Sequence, residues 1–223
     1  MYSNMQLALE TSTNICSVAL KDKEGHIFEK RTEVRGSHSE KLFLFIDELF
    51  KEKKIKLGDL DSVIVSEGPG SYTGLRISAS AVKGLLFDSE VKLYAANTLA
   101  GFAESVLESG RDVQRIHGII DARRVHVYHS PFEIRSGKLK SLASVKVIPI
   151  KEFEEQLQDG DAVVGTGLKR IEGSLLEKME VFGHSFISAR SLLSLHQKDA
   201  DHEFVKEVDP RDFDPKYYTS NQV

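Results

Sequence analysis

Residues 66 to 78, SEGPGSYTGLRIS, gather the residue types that hold anions: glycines, a serine and a threonine directly before a helical pattern. Ser71 is the expected helix N-cap, which leaves backbone amides nearby for an anion. The loop formed by Gly68, Pro69, Gly70, Ser71, Thr73 and Gly74 either cradles a phosphate or only turns the chain. It lacks the Gly-Lys-Ser/Thr of a Walker loop, and its glycines miss the dinucleotide spacing by about one residue. Arg76 sits in the first helical turns, where the helix dipole disfavours a cation, so an acidic partner is expected: a phosphate or a carboxylate on another chain. A second glycine pair, Gly165 and Gly167 in VVGTG, follows a buried-strand pattern. There the backbone either approaches an adenine or ribose or makes a tight turn.

Other chemistries find less support. Cys16 lies in the apolar run ICSVAL, the setting of a buried, inert thiol. No two of the 8 histidines are four residues apart, so no His-x-x-x-His metal pair forms on one helical turn, and no metal site is assigned. His126 and His129 in HVYH point to opposite faces of a strand and cannot share an ion. No Gly-x-Ser-x-Gly nucleophile elbow occurs, which leaves a peptidase reading without a recognisable nucleophile and base.

These residues must be positioned by an α/β scaffold. Runs 6–10, 15–20 and 26–33 read as three strands with short, turn-rich connections, an antiparallel meander. Helices over 39–54, 72–87 and 98–109 alternate with strands at 62–66 and 92–96. After ESGRDVQ the plan restarts: strands at 115–121, 124–130 and 139–148, a helix near 151–158, a strand DAVVG and a helical pattern LKRIEGSLLEKM. Two lobes on one plan place a cleft between them, with the division at 1–110 and 111–223. The acidic and aromatic C-terminal stretch either docks on the body or is disordered.

At 223 residues the chain can bury a substantial core. One cysteine, no signal-like N-terminus and no bilayer-length apolar run fit a cytoplasmic protein with no membrane contact. With 30 basic against 34 acidic residues there is no global footprint for nucleic acid, so any RNA is gripped jointly with a partner.

Helical faces point to that partner. In 72–87, Leu75, Ala79, Val82, Leu85 and Leu86 form the core stripe, leaving Ile77, Ser80, Ala81 and Gly84 outside it. In 39–54 the core stripe is Leu42, Phe45, Ile46, Leu49 and Phe50, with Leu44 nearly opposite and Phe43 at the margin. Two adjacent helices with uncharged outer faces mark a protein interface, expected at Leu44, Arg76, Ile77, Ser80, Ala81 and Gly84.

LALETSTNICSVAL (7–20), EGPGSYTGLRIS (67–78) and IIDARRVHVY (119–128), with VVGTG and the ending PKYYTSN, together resemble the TsaB (YeaZ) family. The resemblance spans nearly the whole chain. It implies an actin-like (ASKHA) fold of two ribonuclease-H-like lobes with mixed sheets flanked by helices. It also implies a non-catalytic partner of TsaD, acting with TsaE in threonylcarbamoylation of the tRNA adenosine beside the anticodon, and able to pair with a second copy. By analogy with actin-like ATPases, Glu10 and Thr11 after the first strand and Asp121 from the second lobe would face the cleft. They suit ATP or ADP with magnesium, there or at the junction with TsaD, although Thr11 to Asn14 also read as a simple polar turn. The rival to a scaffold is therefore an ATP-dependent kinase or ATPase using that pair. The sequence has Val125 and His126 where the family's hairpin commonly has Gly-Glu.

Overall fold

The computed structural model describes residues 4–199 and 201–219. β1 (Gln6–Glu10) and β2 (Cys16–Lys21) are buried along their whole lengths, as apolar runs at a sheet centre must be. They pair antiparallel, and β3 (Ile27–Thr32) adds to β2 as a half-buried edge. The chain then forms α1 (His38–Lys53), β4 (Ser62–Gly68), α2 (Tyr72–Leu85), β5 (Lys92–Asn97) and α3 (Thr98–Glu108). β4 lies parallel to β1, and β5 parallel to β4.

The second half repeats this order. β6 (Arg115–Asp121), β7 (His126–Arg135) and β8 (Lys138–Ser141) form an antiparallel meander. After β9 (Lys146–Pro149) and α4 (Ile150–Glu154), β10 (Ala162–Gly165) joins parallel to β6. After α5 (Gly173–Leu176), β11 (Glu180–Phe182) joins parallel to β10. Each half is thus a three-stranded meander extended by two parallel strands on the side of its first strand, the ribonuclease-H-like plan expected of an actin-like α/β fold.

Three expectations change. The strand expected over 139–148 is two strands, because β7 changes partner along its length: Phe132–Arg135 pair with β8 and His126–His129 with β9. The helical pattern after β10 yields only a 3-10 turn at Gly167–Arg170 and the single turn α5. Residues grouped with the second lobe return to the first: α6 (Ala189–Lys198) packs on β1 and β2, and β12 (Val205–Val208) extends the first sheet beside β5. The C-terminal stretch is docked over the described residues, with Phe213 buried; Ala200 and residues 220–223 lie outside them.

Strand alternation sorts the core into layers. Leu7, Leu9, Val18, Leu20, Val63 and Val65 face α1 and α2, whereas Ala8, Ala19 and Ile64 face inward, where α3 and α6 lie between the sheets. Ile116, Phe132 and Val164 of the second sheet enter the same central cluster. Glu104 of α3 is buried in this layer and accepts a 2.5 Å bond from Lys198 of α6.

The strand histidines are structural. His129 is buried and meets His117 of β6 at 2.9 Å, and His117 Nε2 meets Asp161 at 3.1 Å. The Asp161 oxygen that accepts the Gln158 N–H also accepts here, so a neutral His117 donates from Nε2 and accepts from His129 at Nδ1. Burial holds both rings below the usual histidine range, His129 down to about 3.

Because Phe102 of α3 is buried in the shared central cluster, Phe102→Ala should cost about 3–5 kcal/mol. Urea unfolding checks this as a lower midpoint at unchanged slope.

Candidate functional site

The loop between β4 and α2 is clamped by the turn after β1. Ser71 caps α2, its hydroxyl accepting the Gly74 N–H at 3.3 Å, while its own N–H donates to the Ser12 carbonyl at 2.6 Å. The Thr11 hydroxyl donates to the Gly74 carbonyl at 2.9 Å. A Cβ on Gly70 would stand 2.4 Å from the Ser12 carbonyl oxygen, and one on Gly74 2.0 Å from that of Thr11. These glycines are required because two backbones touch, and the amides of Gly68, Ser71, Gly74 and Leu75 are taken up by Thr98, Ser12 and Ser71. Pro69 follows Gly68 through a cis peptide and is buried, while Thr73 is exposed at the rim.

Glu10 is buried at the end of β1. One carboxylate oxygen accepts the Ser12 N–H at 2.6 Å and the Ser12 hydroxyl at 2.5 Å. The other oxygen and the neighbouring Ser66 hydroxyl are buried and make no well-formed hydrogen bond among the described residues, yet Ser66 lies close enough to favour the ionised carboxyl. Burial raises the Glu10 carboxyl to about 7, against the lowering effect of the Ser12 bonds. Asp121 is instead exposed at the inter-lobe cleft, bound to the Arg170 guanidinium at 2.8 Å and accepting the Arg123 N–H at 2.8 Å. Asp121 lines the cleft and Glu10 does not. A carboxyl buried beneath Ser12 and one held by arginine do not fit a shared magnesium, which needs ionised oxygens free to face it.

The second glycine pair faces inward. A Cβ at Gly165 would lie 1.8 Å from the Ile119 carbonyl oxygen, and one at Gly167 would meet the Ile119 side chain at 2.9 Å. Their close approach is therefore to β6. Thr166 donates its N–H to Ile119 O and accepts the Asp121 N–H, closing the turn.

The cleft itself has a volume of about 900 Å3 and is lined from both lobes, with Ser12, Thr13, Arg35 and the first turn of α2 on one side and Asp121, Arg123, Tyr128, Thr166 and Lys169 on the other. At its edge the β6–β7 hairpin places left-handed backbone on Arg123 (φ 68°) and Arg124 (φ 49°) and not on Val125. Arg170 also donates to the Arg124 carbonyl. Val125 is exposed, and its carbonyl accepts the Ile150 N–H.

The other face lies over α1 and α2. A groove of about 430 Å3 runs between the helices, with Phe43, Tyr72, Arg76 and Ile77 on its walls. Phe43 is 49% exposed, Leu44 39% and Tyr72 56%, large values for side chains of this kind. Ser80 and Gly84 are exposed, and nothing lies within 4 Å of a Cβ added to Gly84. Ala81, expected on the outer face, is only 2% exposed: it joins Leu42, Ile46 and Leu49 of α1 in the core and forms the floor of the groove. Ile77 is half-buried against the same cluster. Arg76 lies over the Tyr72 ring at 4.6 Å and reaches the Tyr217 hydroxyl at 3.3 Å, with no acid at ion-pair distance among the described residues. Sequence reasoning placed Phe43 at the margin of the core stripe and missed Tyr72 and Phe87 as surface aromatics. Tyr72 opens α2 and Phe87 lies just past its C-cap, where periodicity carries least information.

Residues 31–186 match the family model described as TsaD, tRNA N6-adenosine threonylcarbamoyltransferase. The chain is 31% identical over 172 residues to the tRNA threonylcarbamoyladenosine biosynthesis protein TsaB of Haemophilus influenzae, covering 72% of this chain and 71% of that one. It is 28% identical over 159 residues to the Bacillus subtilis protein of the same name, covering 71% and 68%. Among solved structures, YeaZ from Pseudomonas aeruginosa superposes with a TM-score of 0.80 at 25% identity, covering 96% of this chain and 100% of that one.

The buried Glu10 carboxyl leaves a measurable signature. Folding raises it from 4.5 to about 7, so its contribution to stability is fully present below 4.5 and is lost as pH rises through 7. Glu10→Gln keeps the Ser12 bonds, removes the titration and gives Ser66 a donor. The variant should gain about 2 kcal/mol more over the parent at about pH 8 than at about pH 5, read by chemical denaturation at both.

Proposed function

The chain belongs to the TsaB (YeaZ) family of tRNA threonylcarbamoyladenosine biosynthesis proteins, and on that premise we propose that it serves the pathway as a non-catalytic partner of TsaD. The observation that carries this reading is the α1–α2 face, where exposed Phe43 and Tyr72 line a groove with Ser80, and Leu44 and Gly84 are exposed on the same two helices. Apolar side chains of this size at one face stabilise an assembly once a partner covers them. TsaD is the partner in this reading, TsaE joins the assembly, and a second copy occupies the same face when TsaD is absent, since one patch closes readily on itself about a two-fold axis. Arg76, stacked on Tyr72 with its guanidinium exposed, meets a carboxylate of the partner.

A kinase or ATPase reading requires Glu10 and Asp121 to hold magnesium together. Glu10 is occupied by Ser12, and Asp121 by Arg170. This supports a chain that supplies a docking surface and leaves the transfer chemistry to TsaD.

Gly84→Arg tests the face directly, because the position is open and the substitution adds bulk and charge to the surface alone. Co-purification with TsaD should be lost, with stability unchanged or raised by up to about 1 kcal/mol, since arginine is the better helix former. Retained co-purification would remove the α1–α2 face from the interface.

A further inference from the structure

The inter-lobe cleft stays open even though its carboxylate pair is not assembled, and its lining has a chemistry of its own. Arg35 reaches it from the loop before α1, Arg123 from the β6–β7 hairpin and Lys169 from the 3-10 turn after β10. Among the described residues, none of these three side chains has a hydrogen-bond or ion-pair partner. The acid lining the cleft, Asp121, is neutralised by Arg170. His184 at the rim pairs with Glu33, and His38 with the Ile15 carbonyl. In a chain of net charge −4, three uncompensated cations around one concavity are a local feature, and they call for an anion with several charges.

The rest of the lining narrows the anion's class. Tyr128 presents an aromatic ring to the cleft, beside the exposed residues Ser39, Ser71 and Thr73, whereas the Tyr72 ring is already packed against Arg76 and Tyr217. Cations for phosphates, a ring for an unstacked base and hydroxyls for riboses make a single-stranded RNA surface. A mononucleotide would need a base pocket, but Gly165 and Gly167 are closed against Ile119, and no carboxylate pair seats its magnesium. A protein partner suits the apolar α1–α2 groove better than this polar concavity. Consecutive left-handed arginines at the hairpin add weight, because non-glycine residues are held there only when their surroundings impose it. Asp121 and Arg170 impose it here, and the conformation sets Arg123 at the cleft edge.

We propose that the inter-lobe cleft holds a short unpaired stretch of the tRNA substrate, with Arg35, Arg123 and Lys169 on its phosphates and Tyr128 as a stacking face. The inference rests on the pathway role proposed above and makes this chain part of the RNA grip of the assembly.

The test uses the reconstituted assembly of this chain with TsaD and TsaE, measuring tRNA affinity over a series of salt concentrations. The triple variant Arg35→Ala, Arg123→Ala, Lys169→Ala should bind tRNA at least about tenfold more weakly, with the log–log salt slope reduced by about 2, as loss of three contacts to a single strand requires. Co-purification with TsaD and the thermal melt should stay at parental values. Tyr128→Leu should weaken tRNA binding about fivefold or more with the slope unchanged. Unchanged affinity and slope in the triple variant would overturn the proposal. Loss of TsaD co-purification would make the cleft a protein contact, and selective loss of ATP affinity would make it a mononucleotide site; either result overturns it as well. A parental assembly that neither binds nor modifies tRNA would instead overturn the pathway reading, so the two failures are distinguishable.

Discussion

The turn that follows β1 lies backbone against backbone on the first turn of α2, and both proposed surfaces depend on that contact. Ser12 accepts the Ser71 N–H, Thr11 donates to Gly74, and only glycine at 70 and 74 lets the two segments approach so closely. The contact fixes where α2 starts and so which of its residues face α1. It also places Ser12, Thr13 and the head of α2 at the mouth of the cleft. Glu10 locks the turn from below through two bonds to Ser12. A carboxylate in a position suited to metal chemistry is thereby committed to holding a loop.

The C-terminal stretch reinforces the same region from outside. The Lys216 N–H donates to the Glu67 carbonyl, and its ammonium reaches the Glu67 carboxylate at 2.8 Å. Tyr217 packs on Tyr72 with ring centres 5.0 Å apart. Two lobes that share one central layer of α3 and α6, closed by a strap from the end of the chain, form a body suited to presenting surfaces. The proposed docking face lies on the outer side of the first sheet and borders the cleft between the lobes, with Ser39, Tyr72, Thr73 and Ile77 lining both.

Much of this was legible in the sequence wherever the deciding interactions are local. The meander β1–β3, the helices α1 and α2 and the Ser71 cap follow from periodicity and turn chemistry over a few residues. The rest turns on distant partners. β8 and β9 are separate because β7 exchanges one neighbour for another midway, which no pattern within 139–148 encodes. β12 belongs to the first sheet because β5, more than one hundred residues earlier, offers it an open edge. Ala81 misled because a small residue is compatible with either face of a helix, and only the closeness of α1 decides. Glu10 misled because a residue at a strand end can turn either way, and the Ser12 N–H two residues on captured it. The cleft's cations were not legible together, since Arg35, Arg123 and Lys169 are scattered along the chain and meet only across the lobes.

The central claim, that this chain contributes surfaces and TsaD the chemistry, is tested most directly by one reconstitution. The purified chain is incubated with tRNA, magnesium, ATP and the threonylcarbamoyl donor, alone and then with TsaD and TsaE, and the modified adenosine is measured. The account predicts no product and no ATP turnover from the chain alone, and product only in the full mixture and dependent on this chain. Modified tRNA from the chain alone, or full activity of TsaD and TsaE without it, would contradict the account.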